Sequence, residues 1–433
     1  MTWESEATRE VICFAPLMES SAQIQQGKQA LNLLWQHFSS LEDPRVERGK
    51  LHSLHNVLTM ALCAVVGGAD EWETVYEFAL THADWLASLL HMPNGVPSKD
   101  TFRRVFCALE PRAFEACFRR WVKTLARDLN AQVVAVDGKS VRGALGTGLE
   151  DTVLHLVHVW ASEQKLLLAQ MAVEGAPGEV NAIPQLLKLL ELKGAVVTVD
   201  ANGCTAKVAQ AIVEAEADYV LALKGNRGPL HEHVQEVFAQ VRTAEEKKLQ
   251  GDSASRSADD APGQVQVHAD EQQAQQMSHS RSEEAGHGRH EVRSAWALEL
   301  KLEQAPASAS TWVKLRSAVM LLRERTEGGK TTREWHYYIS SMPPEAAQLA
   351  RIIRSHWGVE NGLHWSLDVS MNEDSRPIRD HNGAQNFALL SRMALTLLRR
   401  EKTCKKGVPT KRKKAGWDSG YLARVLKSAA SDI

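Results

Sequence analysis

A chain of 433 residues is long enough to bury a sizeable core, and its length predicts two to four domains. Hydrophobic residues make up 44% and charged residues 24%, which are the proportions of an ordinary soluble globular protein. The net charge of -2 gives no sign of a nucleic-acid partner. DNA-binding grooves depend on local basic patches, however, so the total charge does not exclude one.

The first residues and the cysteines indicate the compartment. The segment MTWESEATREVICFAPLM begins with polar and acidic residues and has no long apolar run, so we expect neither a signal peptide nor a membrane anchor. Six cysteines lie far apart with no CxxC pair, which argues against a zinc knuckle or a disulfide framework. We therefore expect buried, reduced thiols in a cytoplasmic protein with no membrane partner.

Residues 26–130 are predicted to be helical. The stretch 55–66 is apolar enough for a buried helix, and Ser98 is a good N-cap for a later one. In that later helix the apolar residues recur at helical spacing and leave Arg103 and Arg104 more exposed. A further basic helix follows at residues 114–129. These basic faces either contact DNA phosphates or are solvated helix surface, and the pattern favours neither.

From Gln132 onward, β-branched runs indicate a sheet. The predicted order is strand, strand, strand, helix, strand, helix, strand. Three strands joined by hairpins and then crossover units predict a mixed sheet flanked by helices. The helices are expected near residues 182–192 and in TAKVAQAIVEAEA, and the strands are the runs QVVAVDG, TVLHLVHVWAS, KLLLAQMAVEG, AVVTVDA and DYVLALKG.

The remainder of the chain is more mixed in composition. Residues 245–285 are rich in Ser, Gln, Asp, Glu and Ala, which predicts a linker or a disordered insertion. Strand-like segments resume at HEVRSAWALEL, TWVKLRSAVMLLRER and REWHYYISSM. Two long helices are expected at residues 344–365 and 385–400, followed by a mobile basic run, KKGVPTKRKK.

Two predicted strands end in the same way, in VVAVDG at Asp137 and in VVTVDA at Asp200. A carboxylate just past an apolar strand lies at the rim of a sheet, and neighbouring strands would bring the two together. Converging carboxylates repel unless protons or cations intervene, and hard ions such as Mg²⁺ prefer oxygen ligands. The alternative is that each Asp only begins a turn, which is the commoner outcome for either one alone.

A third carboxylate, Glu360, lies on the apolar, aromatic face of the helix containing RSHWGVENGLHWSLDV. Charge is rarely tolerated there without a partner, so Glu360 is either a functional acid or paired with a basic residue such as Arg354 or a histidine. Three carboxylates on two strands and a helix suit two-metal phosphodiester chemistry, with the ions roughly 3.5–4 Å apart. Lys224, after the last strand, either meets a phosphate or is a surface lysine.

The chain resembles a known family of enzymes, the insertion-sequence transposases of the ISAs group, also called H-repeat-associated proteins. These are DDE-type enzymes with a ribonuclease-H-like catalytic core. The similarity runs from about residue 43 to residue 426, and its many blocks in the right order make a chance match improbable. The matching blocks are DPRVERGKLHSLHNVL, ADEWETVYEF, VPSKDTFRRVF, VVAVDGKSVRGA, VVTVDANGC, DYVLALKGN, GHGRHEVR, YYISS, HWGVENGLHW and LDVSMNED.

The resemblance implies an α/β protein with a ribonuclease-H-like mixed sheet and flanking helices, a strand-rich insertion and a helical N-terminal domain. In that fold the first and fourth strands end side by side. Asp137, Asp200 and Glu360 then correspond to the three catalytic acids that hold the metal, with Asp368 and Asp374 as rivals for the third place. The implied cofactor is a pair of Mg²⁺ ions, with Mn²⁺ as the alternative.

The resemblance also implies a domain plan and a DNA partner. The partners would be transposon terminal repeats and target DNA, bound by a homo-oligomer in a synaptic complex. Residues expected to contact DNA are Lys139, Arg142, Lys224, Arg103 and Arg104. The expected domains are a helical, DNA-end-binding domain at 1–130, the first part of the catalytic core at 131–240, an insertion with a disordered polar stretch and strands at 241–342, the helical last part of the core at 343–400, and a basic C-terminal tail at 401–433.

Three hypotheses follow for the function. The first is an active transposase that cleaves at insertion-sequence ends and joins the 3′-hydroxyl to target DNA. The second is a decayed or repurposed protein that binds DNA ends without chemistry, which departures such as Ala176-Pro177-Gly178 in place of the family's Lys-Ser-Asn run favour weakly. The third is a nuclease of the same fold that hydrolyses but does not join.

Overall fold

The computed structural model describes residues 21–142, 153–254, 277–286, 288–301 and 303–430. Within these ranges no helix is long and apolar enough to cross a lipid bilayer. The five cysteines there are free, and Cys63, Cys117 and Cys204 are buried as predicted. Cys13 lies outside the described residues.

The N-terminal region is helical, as predicted. Its second helix is buried along almost its whole length, because eleven of its thirteen residues are apolar or small enough to pack into the core. Ser98 caps the fifth helix, and its hydroxyl accepts a hydrogen bond from the backbone N–H of Thr101 at 3.3 Å. The helices are α1 Ser21–Gln36, α2 Leu54–Val66, α3 Trp72–Thr81, α4 Ala83–Leu89, α5 Lys99–Ala108 and α6 Pro111–Leu125.

Five strands form one half of the sheet: β1 Val133–Val141, β2 Leu154–Ala161, β3 Leu166–Glu174, β4 Val196–Val199 and β5 Asp218–Leu223. They lie in the order β3-β2-β1-β4-β5. The first three pair antiparallel as hairpins, whereas β1, β4 and β5 are parallel to one another. This arrangement confirms the predicted ribonuclease-H-like mixed sheet.

Crossover helices join the parallel strands. The first, α7 Gly175–Leu187, packs against β1, β2 and β3, and the second, α8 Ala206–Glu214, packs against β5. After β5, α9 Gly228–Val237 and α10 Ala239–Ala254 lead away from the sheet. The first crossover helix begins seven residues earlier than the sequence pattern predicts, which brings Glu179 into its opening turns.

Four further strands extend the same sheet rather than forming a separate one: β6 Ser278–Gly286, β7 Arg289–Glu299, β8 Ser317–Glu327 and β9 Lys330–Ser340. The last of them pairs antiparallel with β5, so the complete sheet has nine strands. The linker predicted over residues 245–285 was therefore wrong at both ends, because α10 continues to Ala254 and β6 begins at Ser278. Residues 255–276 lie outside the described ones.

The helix after the sheet, α11 Ala346–His356, ties the original and the added strands together. Its apolar residues Leu349, Ile352 and Ile353 pack in one cluster with valines of β1, β4 and β5 and with residues of β7 and β8. The sequence predicted a regular helix as far as residue 365, but α11 ends at His356. The chain then forms two wider π-helical turns, Glu360–His364 and Ser366–Ser370, before α12 His381–Arg400.

The C-terminal segment is folded, so the predicted mobile basic run was wrong. It forms α13 Val408–Trp417 and α14 Ser419–Lys427, and α14 packs against α1. Within the basic run, Lys411 and Arg412 are buried. Arg412 donates to the carbonyl oxygens of Val65 at 3.1 Å and Ala69 at 2.8 Å, which satisfies carbonyls at and beyond the end of α2. The positive charge of Arg412 therefore stabilises the fold from within and does not form part of a mobile basic tail.

Candidate active site

The parallel pairing of β1 and β4 brings Asp137 and Asp200 together. The predicted strand end at Asp137 was wrong, because β1 continues to Val141 through its pairing with β2. In the register of these strands Val136 lies beside Val199, and Asp137 and Asp200 are the next residues. Each carboxylate is held by a nearby backbone N–H: Asp137 accepts from Gly138 and Asp200 accepts from Gly203, both at 3.0 Å. Both side chains are partly buried at one edge of the sheet.

Glu360 reaches the same edge from the first π-helical turn. His364 lies one turn further on, and its Nδ1 is 3.1 Å from Glu360 Oε2 and 3.6 Å from Asp137 Oδ2. Possible ligand atoms of Asp137, Glu360 and His364 all lie within 4.8 Å of one another. π-Helical turns are rare and occur often at functional sites, which fits their position here.

The electrostatics of the site favour a cation. The pKa of Asp137 is raised to about 7, chiefly by burial; His364 lowers it, whereas the negative charges of Asp200 and Glu360 add to the rise. The hydrogen bond from His364 lowers the pKa of Glu360. Burial lowers the pKa of the neighbouring His356 to about 4, so this imidazole is neutral at physiological pH. A positive ion between the carboxylates would relieve their repulsion.

The two rival acids occupy a different place. Asp368 Oδ1 lies 2.7 Å from the ammonium of Lys139, and Asp374 Oδ1 lies 3.3 Å from the same ammonium. Asp374 also accepts a hydrogen bond from the backbone N–H of Arg142 at 3.3 Å. Both acids are thus engaged by β1 residues that follow Asp137, whereas Glu360 faces Asp137 itself.

The expected DNA-contacting residues are spread over two regions. Lys224 follows β5 at the same end of the parallel strands as Asp137 and Asp200, and its side chain is exposed. Arg142 is exposed at the end of β1, whereas Lys139 is buried. Arg103 and Arg104 are exposed on α5 in the N-terminal region. The structure places Arg142 at the end of β1 and Lys224 at the end of β5, next to β4, and leaves the α5 arginines in the N-terminal helical region.

On the other face of β1 lies a buried pair that the sequence analysis missed. Successive strand residues point to opposite faces, so Gly138 faces away from the side of Asp137. There His155 Nε2 hydrogen-bonds the carboxylate of Glu179 on α7, and His155 Nδ1 is 2.9 Å from Ser140 Oγ. Burial raises the pKa of Glu179. The pair supports the strand directly beneath Asp137.

Gly138 is required by this packing. A Cβ built on it would overlap the carboxylate of Glu179 and lie 2.6 Å from His155 Nε2. We predict that Gly138→Ala lowers the free energy of unfolding by about 1–3 kcal/mol, as overpacking does, because β1 must shift. Gly225→Ala is the matched control, since a Cβ there meets no atom within 4 Å. Equal urea midpoints for both variants would contradict the prediction.

A second buried group lies behind His364. His364 Nε2 is 3.2 Å from His158 Nδ1, and His158 Nε2 is 3.2 Å from Nη2 of Arg392 on α12. The guanidinium of Arg392 is paired with the carboxylate of Glu373, and both side chains are fully buried. A continuous line of polar contacts therefore joins the candidate metal ligands to the core.

Comparison with known proteins now identifies the family. The model of the transposase DDE domain matches residues 128–397, and that of the DDE_Tnp_1-associated region matches residues 35–122. The chain belongs to the DDE transposase family. The family predicted from the sequence blocks is thereby confirmed.

Relatives of this DDE transposase cover nearly the whole chain. It is 34% identical over 407 residues to "Putative transposase YncI" of Escherichia coli O157:H7, covering 93% of this chain and 96% of that protein. It is 31% identical over 400 residues to "H repeat-associated putative transposase YhhI" of Escherichia coli K12, covering 92% and 98%. A solved piggyBac transposase synaptic complex with hairpin DNA aligns over 93% of this chain and 79% of that chain, with TM-score 0.39 and 10% identity.

A DDE domain implies the use of divalent metal ions, and the residues present fit that requirement. Asp137 and Glu360 offer carboxylate oxygens within 4.8 Å of one another, and Asp200 follows the adjacent strand. Carboxylate oxygens are the donors that Mg²⁺ and Mn²⁺ prefer. Burial and like charges also disfavour an ionised Asp137 without a counter-charge.

Proposed function

We propose that this DDE transposase cleaves DNA at the ends of an insertion sequence and joins the freed 3′-hydroxyl to target DNA. The observation that carries the proposal is the approach of Asp137 and Glu360 to within 4.8 Å, with Asp200 directly after the adjacent parallel strand of a ribonuclease-H-like sheet. Divalent ions, when bound, would activate the attacking hydroxyl and stabilise the leaving oxygen in an in-line displacement. Mg²⁺ is the proposed ion, with two per site.

The chain's own residues contribute position and charge. The rigid parallel pairing of β1 and β4 holds Asp137 and Asp200, while the π-helical turn presents Glu360 from the opposite side. Holding the ligands on regular elements keeps them in one geometry, and such positioning supplies much of the catalysis in phosphodiester chemistry. The half-buried setting strengthens each electrostatic interaction relative to water.

We propose that exposed cations next to the acids bind the DNA backbone. Arg142 and Lys224 are suited to phosphate contacts, because both are exposed and adjoin strands that carry the acids. Lys139 would reach a phosphate only by releasing Asp368 or Asp374. Arg103 and Arg104 on α5 are proposed to contact the transposon end, and a homo-oligomer would hold two ends together. Such contacts make binding fall steeply with salt.

The proposed third acid can be separated from its rivals by substitution. We predict that Glu360→Gln lowers cleavage by at least about 10²-fold, since it removes an electrostatic contribution of a few kcal/mol to the reaction. Asp368→Asn and Asp374→Asn should retain far more activity. In each variant the remaining aspartate can still pair with Lys139. Cleavage rates of the three variants on one labelled substrate provide the test. A larger loss for Asp368→Asn than for Glu360→Gln would reverse the assignment.

Joining distinguishes a transposase from a nuclease of the same fold. Purified protein is incubated with labelled, pre-cut terminal repeats, Mg²⁺ and a target plasmid, and the products are separated on a gel. Label transferred to the plasmid is the expected result. Cleaved ends that never join would indicate a nuclease, and a binding shift without any product would indicate a protein that only occupies DNA ends.

A further inference from the structure

A series of polar contacts runs from Glu360 through His364, His158 and Arg392 to Glu373. The chemistry of these groups determines which atom donates and which accepts in each contact. An arginine guanidinium only donates hydrogen bonds, so His158 Nε2 must accept from Arg392 Nη2. His158 is completely buried beside this cation, and a second proton would place two N–H groups against each other. His158 is therefore neutral with its proton on Nδ1, which faces His364 Nε2 at 3.2 Å.

The same reasoning applies to the next histidine. Because His158 Nδ1–H donates, His364 Nε2 must carry a lone pair and accept. A neutral His364 then carries its proton on Nδ1, the nitrogen that lies 3.1 Å from Glu360 Oε2 and 3.6 Å from Asp137 Oδ2. Each of these contacts thus has one donor and one acceptor. Because Arg392 can only donate, it determines the tautomer of His158 and, through it, that of His364.

We infer that His364 is a positioning residue that donates its Nδ1 proton to Glu360 and is not a metal ligand, with its tautomer fixed by Arg392 through His158. The inference rests on the proposed function only in treating Glu360 as a ligand. A ligating histidine needs a lone pair facing the ion, and here the nitrogen nearest the carboxylates is occupied by a proton. His364 instead holds Glu360 toward Asp137.

This assignment decides between two possible metal sites. Asp137, Glu360 and His364 together resemble a site of two carboxylates and one imidazole, a donor set that suits transition metals such as Fe²⁺ and Zn²⁺. With the imidazole serving as a donor, only carboxylate oxygens remain, and Asp200 supplies the next one from β4. The site then selects hard ions with oxygen preference.

The tautomer can be measured directly on the full chain. Protein labelled with ¹⁵N-histidine is studied by long-range ¹H–¹⁵N NMR at neutral pH, where protonated and lone-pair ring nitrogens give well-separated shifts. Signals are assigned by their loss in His364→Gln and His158→Gln. We expect His364 to have a protonated Nδ1 and an unprotonated Nε2, both before and after Mg²⁺ is added. An unprotonated Nδ1, or loss of its proton on adding Mg²⁺, would overturn the inference.

A pair of substitutions tests the relay through function. In His158→Gln the amide oxygen can accept from Arg392 and the amide N–H can donate to His364, whereas His158→Leu does neither. Loss of an outer-shell partner typically lowers activity about 10–100-fold, so His158→Leu should fall by that amount and His158→Gln should keep most activity. Equal losses of activity in the two variants would mean that His158 contributes through packing and not through its hydrogen bonds. If the wild type cuts no DNA, the proposed function fails, and the NMR result still decides the tautomer.

Discussion

Replacing Asp137 with Asn is expected to lower DNA cleavage by at least about 10³-fold while leaving binding to transposon ends intact. Asp137 directly follows the last parallel pair of β1 and β4 and faces Glu360 and His364, so its charge is central to the proposed metal site. Metal ions contribute several kcal/mol of charge stabilisation, and about 4 kcal/mol corresponds to 10³-fold in rate. Cleavage of a labelled terminal repeat and a gel-shift titration measure the two properties separately.

The same substitution should not weaken the fold. Asn has nearly the shape of Asp, and burial together with Asp200 and Glu360 already disfavours the ionised carboxyl of Asp137. We therefore expect an unchanged or higher melting temperature for the variant in the absence of metal. Wild-type cleavage by Asp137→Asn would exclude this residue as a ligand. A large fall in melting temperature would instead mean that lost folding explains the lost activity.

Replacing Arg392 with Met is expected to be the most destabilising single change near the site. The change leaves the carboxylate of Glu373 buried without its partner and removes the donor to His158. Breaking one side of a buried ion pair typically costs about 3–5 kcal/mol. The midpoint of urea unfolding provides the measurement. In the double variant Arg392→Met with Glu373→Met, most of that stability should return, because no uncompensated charge remains.

The exposed pair of Lys123 and Glu191 is the matched control. Its atoms are 2.5 Å apart and both side chains are more than two-thirds exposed, so Lys123→Met should change stability by less than about 1 kcal/mol. An Arg392→Met variant as stable as Lys123→Met would contradict the account of the buried pair.

The buried pair also predicts a pH dependence. Burial alone would raise the pKa of Glu373, but Arg392 reverses this and lowers the pKa below its usual value. The pair therefore stabilises the protein above the pKa of the unfolded carboxyl, and this contribution is lost as the pH falls through the lowered pKa. The difference in unfolding midpoint between wild type and Arg392→Met should accordingly shrink toward acid pH. A constant difference would show that Glu373 is not the cause.

The sheet and its aspartates could be predicted because their signals are local. Short β-branched runs before Asp137 and Asp200 mark the two strands, although β1 continues past Asp137 to Val141. The hairpin and crossover order then leaves few topologies. Parallel neighbours then place both carboxylates at one edge. The acid on the π-helical turn, Glu360, was selected as a carboxylate on an apolar face, but its side chain is 60% exposed. The irregular helix around it was not predicted.

The features that escaped prediction depend on contacts between distant segments. Glu179 was missed because Gly175 and Gly178 in α7 are poor helix formers, so the helix was expected to begin later. The burial of Arg412 follows from carbonyls at the end of α2, more than 340 residues away. The line from His364 through His158 to Arg392 joins a π-helical turn, a strand and a helix. Nothing in the local pattern of any one segment indicates the others.

The most direct measurement is cleavage of labelled DNA that carries the element's own terminal repeats, with Mg²⁺ and, in parallel, with a chelator. The structure predicts nicks at the repeat boundary that depend on Mg²⁺, because the converging carboxylates require a divalent ion to act together. Intact DNA under both conditions, with a clear binding shift, would contradict the proposed catalysis and indicate a protein that binds transposon ends without cutting them.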